Sequence, residues 1–392
     1  MRLIIISFIA LIALGLSEGM LGVAWPGIKR YFGLPIDALG IIIVFGTCGY
    51  MLSSFLNGML IRIFGIGGLL SLSCAISAFS LLIYAKTDEW SIFLIFAMIG
   101  GFGAGGIDAS INTYIAKCCS GRMMQWLHAG FGVGITLGPV IMTLGISLTS
   151  YWESGYLLVS ALIIFLSFIF FMTKNMWVDF SAKNTKYYQP KSEASILVTL
   201  KSRPTQLSML TFFLYGGVEL CLGFWAYSLL TESRGVSQTV AGLITSSYWG
   251  MFTAGRIIAG LYAKKINDWK LIYSSIFLAL LGIGLLITNS GEVISIMGIG
   301  ITGFAIAPIF PGLVSNTERR VGQIHHTNAI GLQMAASAFG IAIIPSFAGI
   351  LAKIYSLEVI PLYLLSAILL MFLVFAFLHF ESRKIVKSYQ KN

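Results

Sequence analysis

Apolar runs of bilayer-spanning length recur along this whole chain, separated by short clusters of charge and turn residues. A run of about 20 apolar residues crosses the hydrocarbon core as a helix, because each residue advances the helix by about 1.5 Å. Composition agrees with that reading. Of 392 residues, 57% are hydrophobic and 10% charged, against about a quarter charged in a soluble domain. A chain with so few charges could not cover a soluble surface, so the expectation is an all-α, multi-pass membrane protein. The first run holds Glu18 and lacks a small-residue cleavage pattern, so it reads as a retained span and not a cleavable signal. The cysteines (48, 74, 118, 119 and 221) show no metal or CxxC spacing and read as small apolar packers, without a disulfide framework or metal site.

Turn residues and charges divide the chain into twelve predicted spans, near 3–24, 38–61, 66–86, 91–116, 127–149, 155–173, 206–230, 239–263, 270–288, 293–315, 328–351 and 358–380. Cytoplasmic loops of membrane proteins carry an excess of Lys and Arg. With both termini inside, nineteen of the 25 basic residues fall on the inner side and five (Lys29, Arg30, Lys86, Arg234 and Lys353) on the outer side. The net charge of +10 is therefore membrane topology and not a nucleic-acid footprint. The expected location is the cell membrane, with both termini cytoplasmic and the lipid bilayer as the surrounding partner. The oligomeric expectation is a monomer.

The two halves match one another. Glu18-Gly-Met-Leu-Gly22 in span 1 pairs with Glu219-Leu-Cys-Leu-Gly223 in span 7, and Gly58-Met-Leu-Ile-Arg62 with Gly260-Leu-Tyr-Ala-Lys264. Phe131-Gly132, followed by Pro139, recurs as Phe339-Gly340 followed by Pro345. Several matches in one order predict two six-helix bundles, 1–173 and 206–380, a cytoplasmic linker over 174–205 and a tail over 381–392. Repeats of this kind place a binding site near the bilayer midplane and alternate its access by rocking.

Apart from histidine, four ionisable side chains fall well inside predicted spans: Glu18, Asp108, Glu219 and Arg256. Each costs about 2.5–3.5 kcal/mol at a helix centre on insertion scales, so such groups face water, a partner or an ion pathway. A carboxyl held that way can load a proton on one side and release it on the other. Asp108, Glu18 and Glu219 are thus the candidate proton-coupling groups. Asp108 sits in GGFGAGGIDASINTYIAK, where glycines permit close helix approach, and Asn112 follows one turn later on the same face. Together they can hold two sugar hydroxyls; the bland alternative is that they satisfy each other. Glu219 and Arg256 can form a structural ion pair, or Arg256 can snorkel to the inner interface as a gate. His128, near the inner end of span 5, reads as a structural hydrogen-bonder. Uncharged candidates for the substrate site are Asn57, Gln125, Trp225, Tyr248, Trp249 and Gln333, since aromatic faces and amides suit a sugar. Trp25, Trp90 and Trp126 at span ends read as interfacial anchors.

Twelve spans in two six-helix repeats with a basic central loop resemble the major facilitator superfamily. Gly58…Arg62 is similar to its loop 2–3 signature without the usual Asp, and Gly255-Arg256…Gly260…Lys264 is a fuller copy. That resemblance implies a gating role for Arg62 and Arg256. Within the superfamily, four segments resemble the fucose permease-like sugar–proton symporters. They are Glu18-Gly19-x-x-Gly22-x-x-x-Pro26; Gly103-Ala-Gly105-Gly-Ile-Asp108-x-x-x-Asn112 with Leu127-His128-x-x-Phe131-Gly132; Tyr215-Gly-Gly-Val-Glu219; and Phe304-Ala-Ile-Ala-Pro308-Ile-Phe-Pro311. The resemblance implies that Asp108 is the coupling acid near the sugar and Glu18 a second acidic site. The competing expectation is a drug–proton antiporter, because Gly134-x-x-x-Gly138-Pro139 partly matches that group's signature in span 5. With no HExxH, GxSxG or Walker loop, the chain reads as neither an enzyme nor an ATP-driven pump. No cofactor is expected; an ion gradient, proton or sodium, would supply the driving force.

Overall fold

The computed structural model describes residues 2–118, 121–177, 194–262 and 267–389. Half of the predicted linker (178–193), Lys264 and Lys265, and the end of the tail lie outside the described residues. All regular structure among the described residues is helical. Ten of these helices are long and apolar enough to cross a membrane. One of the ten stretches holds both span 2 and span 3, which meet at Gly65 (φ 67, ψ 164), a left-handed turn that glycine adopts without a Cβ clash. Span 8 is the helix Gln238–Tyr262, whose Thr245-Ser-Ser-Tyr-Trp249 stretch and Arg256 keep it outside that apolar group.

Spans 1, 5, 11 and 12 each run more than a turn longer in the structure than predicted. Span 1 runs Arg2–Tyr31, straight through Pro26. Span 7 runs Arg203–Ser228 and ends in a π turn, Leu229–Ser233. Span 10 is broken: Glu292–Ile306 gives way to Ile309–Ser315 around Pro308, which has no N–H to continue the ladder.

The chain forms two compact units, Met1–Tyr187 with Gly223–Thr253, and Tyr188–Leu222 with Ala254–Asn392. The first therefore takes in the parts of spans 7 and 8 between 223 and 253 along with spans 1 to 6. Its packing is written in glycines. A Cβ at Gly105 would lie 2.5 Å from the Tyr50 carbonyl oxygen, and one at Gly101 would strike the Gly46 backbone. Gly103 and Gly106 press on Ser77 and Ser73 of span 3. Helices in lipid associate through such close backbone approach, with no hydrophobic drive between them. Spans 1 and 5 meet in the same way: a Cβ at Gly138 would lie 2.5 Å from the Leu16 carbonyl oxygen, and Gly134 abuts the Ile12 backbone.

The 223–253 segment joins this unit at several points. Gly22 lies where a Cβ would be 2.7 Å from the Gly223 carbonyl oxygen. Ser246 Oγ donates to the Thr136 carbonyl at 2.7 Å. Lys29 pairs with Glu232 on the π turn, Nζ to Oε2 at 2.6 Å.

The second unit has a buried arginine that charge counting treated as ordinary loop charge. Arg320, 1% exposed on the short helix Thr317–Val321, donates to the carbonyls of Leu313 (2.5 Å) and Gly312 (2.7 Å). It thereby satisfies carbonyls at the end of span 10, where the helical ladder stops. The guanidinium also lies 5.2 Å from the Trp269 ring, which stacks on His379 at 3.9 Å. Burial lowers the Arg320 pKa to about 10, with Asp268 opposing the shift, so the side chain stays charged at neutral pH.

Candidate functional site

Asp108 is the acid with the most specific surroundings. The span 4 glycines bring spans 2 and 4 together, and this places Tyr50 opposite Asp108. Tyr50 donates its hydroxyl to Asp108 Oδ2 at 2.5 Å. Asn112 donates Nδ2 to Asp108 Oδ1 at 2.9 Å, across one helical turn. Both carboxylate oxygens thus have a donor, each from a different helix. The other amide atom of Asn112, Oδ1, is buried with no hydrogen-bond partner. A buried acceptor without a donor costs about 1–3 kcal/mol. The position is consistent with a ligand hydroxyl. Asp108, Tyr50 and Asn112 are all half-buried and not sealed in the core.

About two helical turns along span 2 from Tyr50, the predicted amide Asn57 is 6% exposed and accepts from Ser110 Oγ at 2.9 Å. It ties span 2 to span 4 beneath the carboxyl. Glu18 is exposed. The glycines one turn on either side of it, Gly15 and Gly22, press against the backbones of span 5 and of residues 223–224. Its helix face is therefore turned toward protein, and the field of its carboxylate reaches Tyr50. Glu18, Asn57, Asp108 and Asn112 belong to one compact unit.

Trp225, Tyr248 and Trp249 lie in the same unit, at 0%, 0% and 2% exposure. Tyr248 and Trp249 meet edge to face with ring centroids 4.8 Å apart. A Cβ at Gly223 would collide with the Trp249 indole, whose Nε1 is buried without a partner. Trp25 is also fully buried, a correction to its expected place at the interface. The reason is local: span 1 continues six residues past it to Tyr31, so the ring lies inside the helix and not at its end. Trp126 is 57% exposed and Trp90 half-buried.

In the second unit, Arg256 and Glu219 come together, NH2 to Oε1 at 3.4 Å, with side chains 27% and 13% exposed. The buried Tyr215 hydroxyl stands in the field of both. Gln333 is fully buried, and both ends of its amide are engaged: Nε2 donates to Ser208 Oγ at 2.7 Å and Oε1 accepts from Thr317 Oγ1 at 3.1 Å. It links spans 7 and 11 to the end of span 10. Arg62 is exposed beside the Gly65 turn, and His128 is exposed on span 5. The Gln125 side chain lies outside the described residues. No cluster of three or more His, Cys, Asp or Glu side chains is found among the described residues.

Sequence reasoning missed Tyr50 and Arg320. Tyr50 is one of 16 tyrosines in an apolar chain, and only the Asp108 contact distinguishes it. Arg320 follows Arg319 in what reads as an ordinary basic loop.

The sequence model of the Major Facilitator Superfamily matches residues 7–324 and 207–391. Among curated proteins, the chain is 22% identical over 83% of its length to the glucose/mannose transporter GlcP of Bacillus subtilis, covering 81% of that protein. It is 23% identical over 88% of its length to the human sodium-dependent glucose transporter 1, covering 72% of it. It is 22% identical over 92% of its length to the Saccharomyces cerevisiae bypass of stop codon protein 6, covering 78%. Among solved structures, the nucleoside transporter NupG superposes with a TM-score of 0.78 at 13% identity, over 95% of this chain and 98% of that one. A bacterial homologue of the human lysosomal transporter Spinster, in an inward-facing and unoccupied conformation, superposes with a TM-score of 0.76 at 14% identity, over 98% and 97%.

Proposed function

The chain belongs to the Major Facilitator Superfamily, and from that premise we propose that it is a secondary carrier that brings a sugar across the cell membrane together with protons, by alternating access. The single observation that carries the reading is the Asp108 constellation. An ionisable carboxyl stands within an apolar helix, half-exposed, with donors from two helices on its two oxygens and an unmatched buried amide oxygen beside it. Hydroxyl-rich solutes suit paired acceptors and donors of this kind, and a carboxyl that titrates in reach of water can couple their binding to a proton. The relatives named for glucose, mannose and sodium-dependent glucose transport support a sugar.

In this reading Asp108 binds both sugar and proton, and Asn112 supplies an adjacent hydroxyl contact. Glu18 adjusts the charge facing Tyr50, and the Glu219–Arg256 pair couples the second unit to the cycle. Arg256 and Arg62 serve at the inner gate. The protein works as a monomer with both termini in the cytoplasm and needs no cofactor beyond the ion gradient.

A drug–proton antiporter is the alternative, resting on Gly134 and Gly138-Pro139. Both glycines are used for the backbone approach of span 5 to span 1, a packing need that either kind of carrier shares. The discriminating experiment is uptake of labelled D-glucose by proteoliposomes under an imposed pH gradient, an imposed sodium gradient or neither, with unlabelled D-mannose and D-galactose as competitors. The expected result is accumulation above the external concentration with the pH gradient alone. Accumulation with sodium alone would reassign the coupling ion. No uptake of any sugar, together with resistance to lipophilic cations on expression, would transfer the protein to the antiporter class.

A further inference from the structure

We propose that Tyr50 is a hydroxyl switch that converts protonation of Asp108 into a new hydrogen-bond donor for the substrate. The proposal rests on the proton-coupled sugar reading above and deepens it. The argument is a count of hydrogens. An ionised carboxylate only accepts, and here Oδ2 accepts from the Tyr50 hydroxyl at 2.5 Å while Oδ1 accepts from Asn112 Nδ2 at 2.9 Å. A proton arriving from water forms one new O–H bond on Asp108 and takes its charge from −1 to 0. It has two possible seats. On Oδ1 it would confront an N–H of Asn112, which has no lone pair to offer. On Oδ2 it meets the Tyr50 oxygen, which can accept.

The acid therefore donates from Oδ2 to Tyr50, and the Tyr50 hydrogen turns about its C–O bond out of the pair. No bond of Tyr50 breaks. The outcome is a phenolic donor released toward whatever oxygen stands beside it, next to the buried Asn112 Oδ1 that lacks a donor. A hydroxyl group satisfies both needs at once, accepting from Tyr50 and donating to Asn112. Protonated amines and quaternary cations have no lone pair to accept from Tyr50, so the switch favours a polyol over them. The coupling follows directly: without the proton, the Tyr50 hydrogen is committed to Asp108.

Titratable neighbours are few. From span 1, Glu18 reaches Tyr50 electrostatically. From span 3, the side chains pressed on span 4 at this level are Ser73 and Ser77, and span 2 adds Ser53, none of which ionises in the working range. Glu18 is thus the charge whose influence must be separated from that of Asp108.

The test measures D-glucose, D-mannose and D-galactose binding to purified protein by calorimetry across pH, and in parallel the C=O infrared band of the protonated carboxyls. Binding by the unaltered protein and by Glu18→Gln is expected to strengthen as pH falls. Tyr50→Phe is expected to bind about tenfold more weakly at low pH, the worth of one hydrogen bond, and to lose the pH dependence. Asp108→Asn, whose amide can donate to Tyr50 as the acid does, is expected to bind with an affinity that no longer varies with pH. A Tyr50→Phe protein with the original pH slope would overturn the proposal. So would an Asp108→Asn protein that still follows pH, which keeps the test decisive if Tyr50→Phe does not fold. The infrared band, absent in Asp108→Asn, is expected to shift in Tyr50→Phe, and an unshifted band would overturn the switch without any sugar present. Absence of binding for all three sugars alongside a shifted band would instead remove the sugar reading and leave the Tyr50–Asp108 link standing.

Discussion

Glu18 and Asp108 could be picked out in the sequence because a charge inside an apolar run has to be explained, at about 2.5–3.5 kcal/mol each. Tyr50 could not, because a tyrosine in a membrane span violates nothing until its partner is known. The same asymmetry separates Arg256, conspicuous in span 8 and found beside Glu219 at 3.4 Å, from Arg320, which a positive-inside count absorbs without comment. For Glu18, whose field reaches Tyr50, neutralisation is expected to leave the site folded and change its titration. Glu18→Gln should therefore change the pH dependence of transport, with little change in maximal rate. Uptake measured across pH checks this, and an unchanged profile would remove Glu18 from the proton pathway.

The helices themselves were legible from apolar length, and the Gly65 turn between spans 2 and 3 fell between their predicted bounds of 61 and 66. What periodicity could not supply was where a helix runs past its apolar part. Span 1 continues through Pro26 to Tyr31, which turns Trp25 from a presumed anchor into a core residue. The π turn that presents Glu232 to Lys29 has no signature in composition either. The span 4 glycines were legible as close-packing positions, and the structure names their partners. Gly105 is the sharpest case, since the Tyr50 carbonyl lies 2.5 Å from where its Cβ would be. Gly105→Val should force span 2 away and lower stability by about 1–3 kcal/mol, the usual cost of overpacking. It should also move Tyr50 off Asp108. Thermal unfolding in detergent is expected to show a lower midpoint than for Gly260→Val, a glycine with open space around it; equal midpoints would refute the packing account.

Across the whole molecule, internal repetition predicted two halves, and the compact units add what repetition alone does not reveal: residues 223–253 of spans 7 and 8 cluster with spans 1 to 6. Contacts decide this grouping, through Gly22 and Gly223, Ser246 and Thr136, and Lys29 and Glu232. Sequence order cannot encode such a grouping, because it depends on which helix ends meet. The account as a whole turns on Asp108 joining the movement of a proton to the movement of a sugar. The most direct measurement records both fluxes in one proteoliposome preparation, with D-glucose added outside in a lightly buffered medium. The unaltered protein is expected to alkalinise the medium as glucose enters. Asp108→Asn should show neither alkalinisation nor accumulation, while still exchanging labelled for unlabelled glucose. Full accumulation of glucose by Asp108→Asn, with its proton signal intact, would contradict the account.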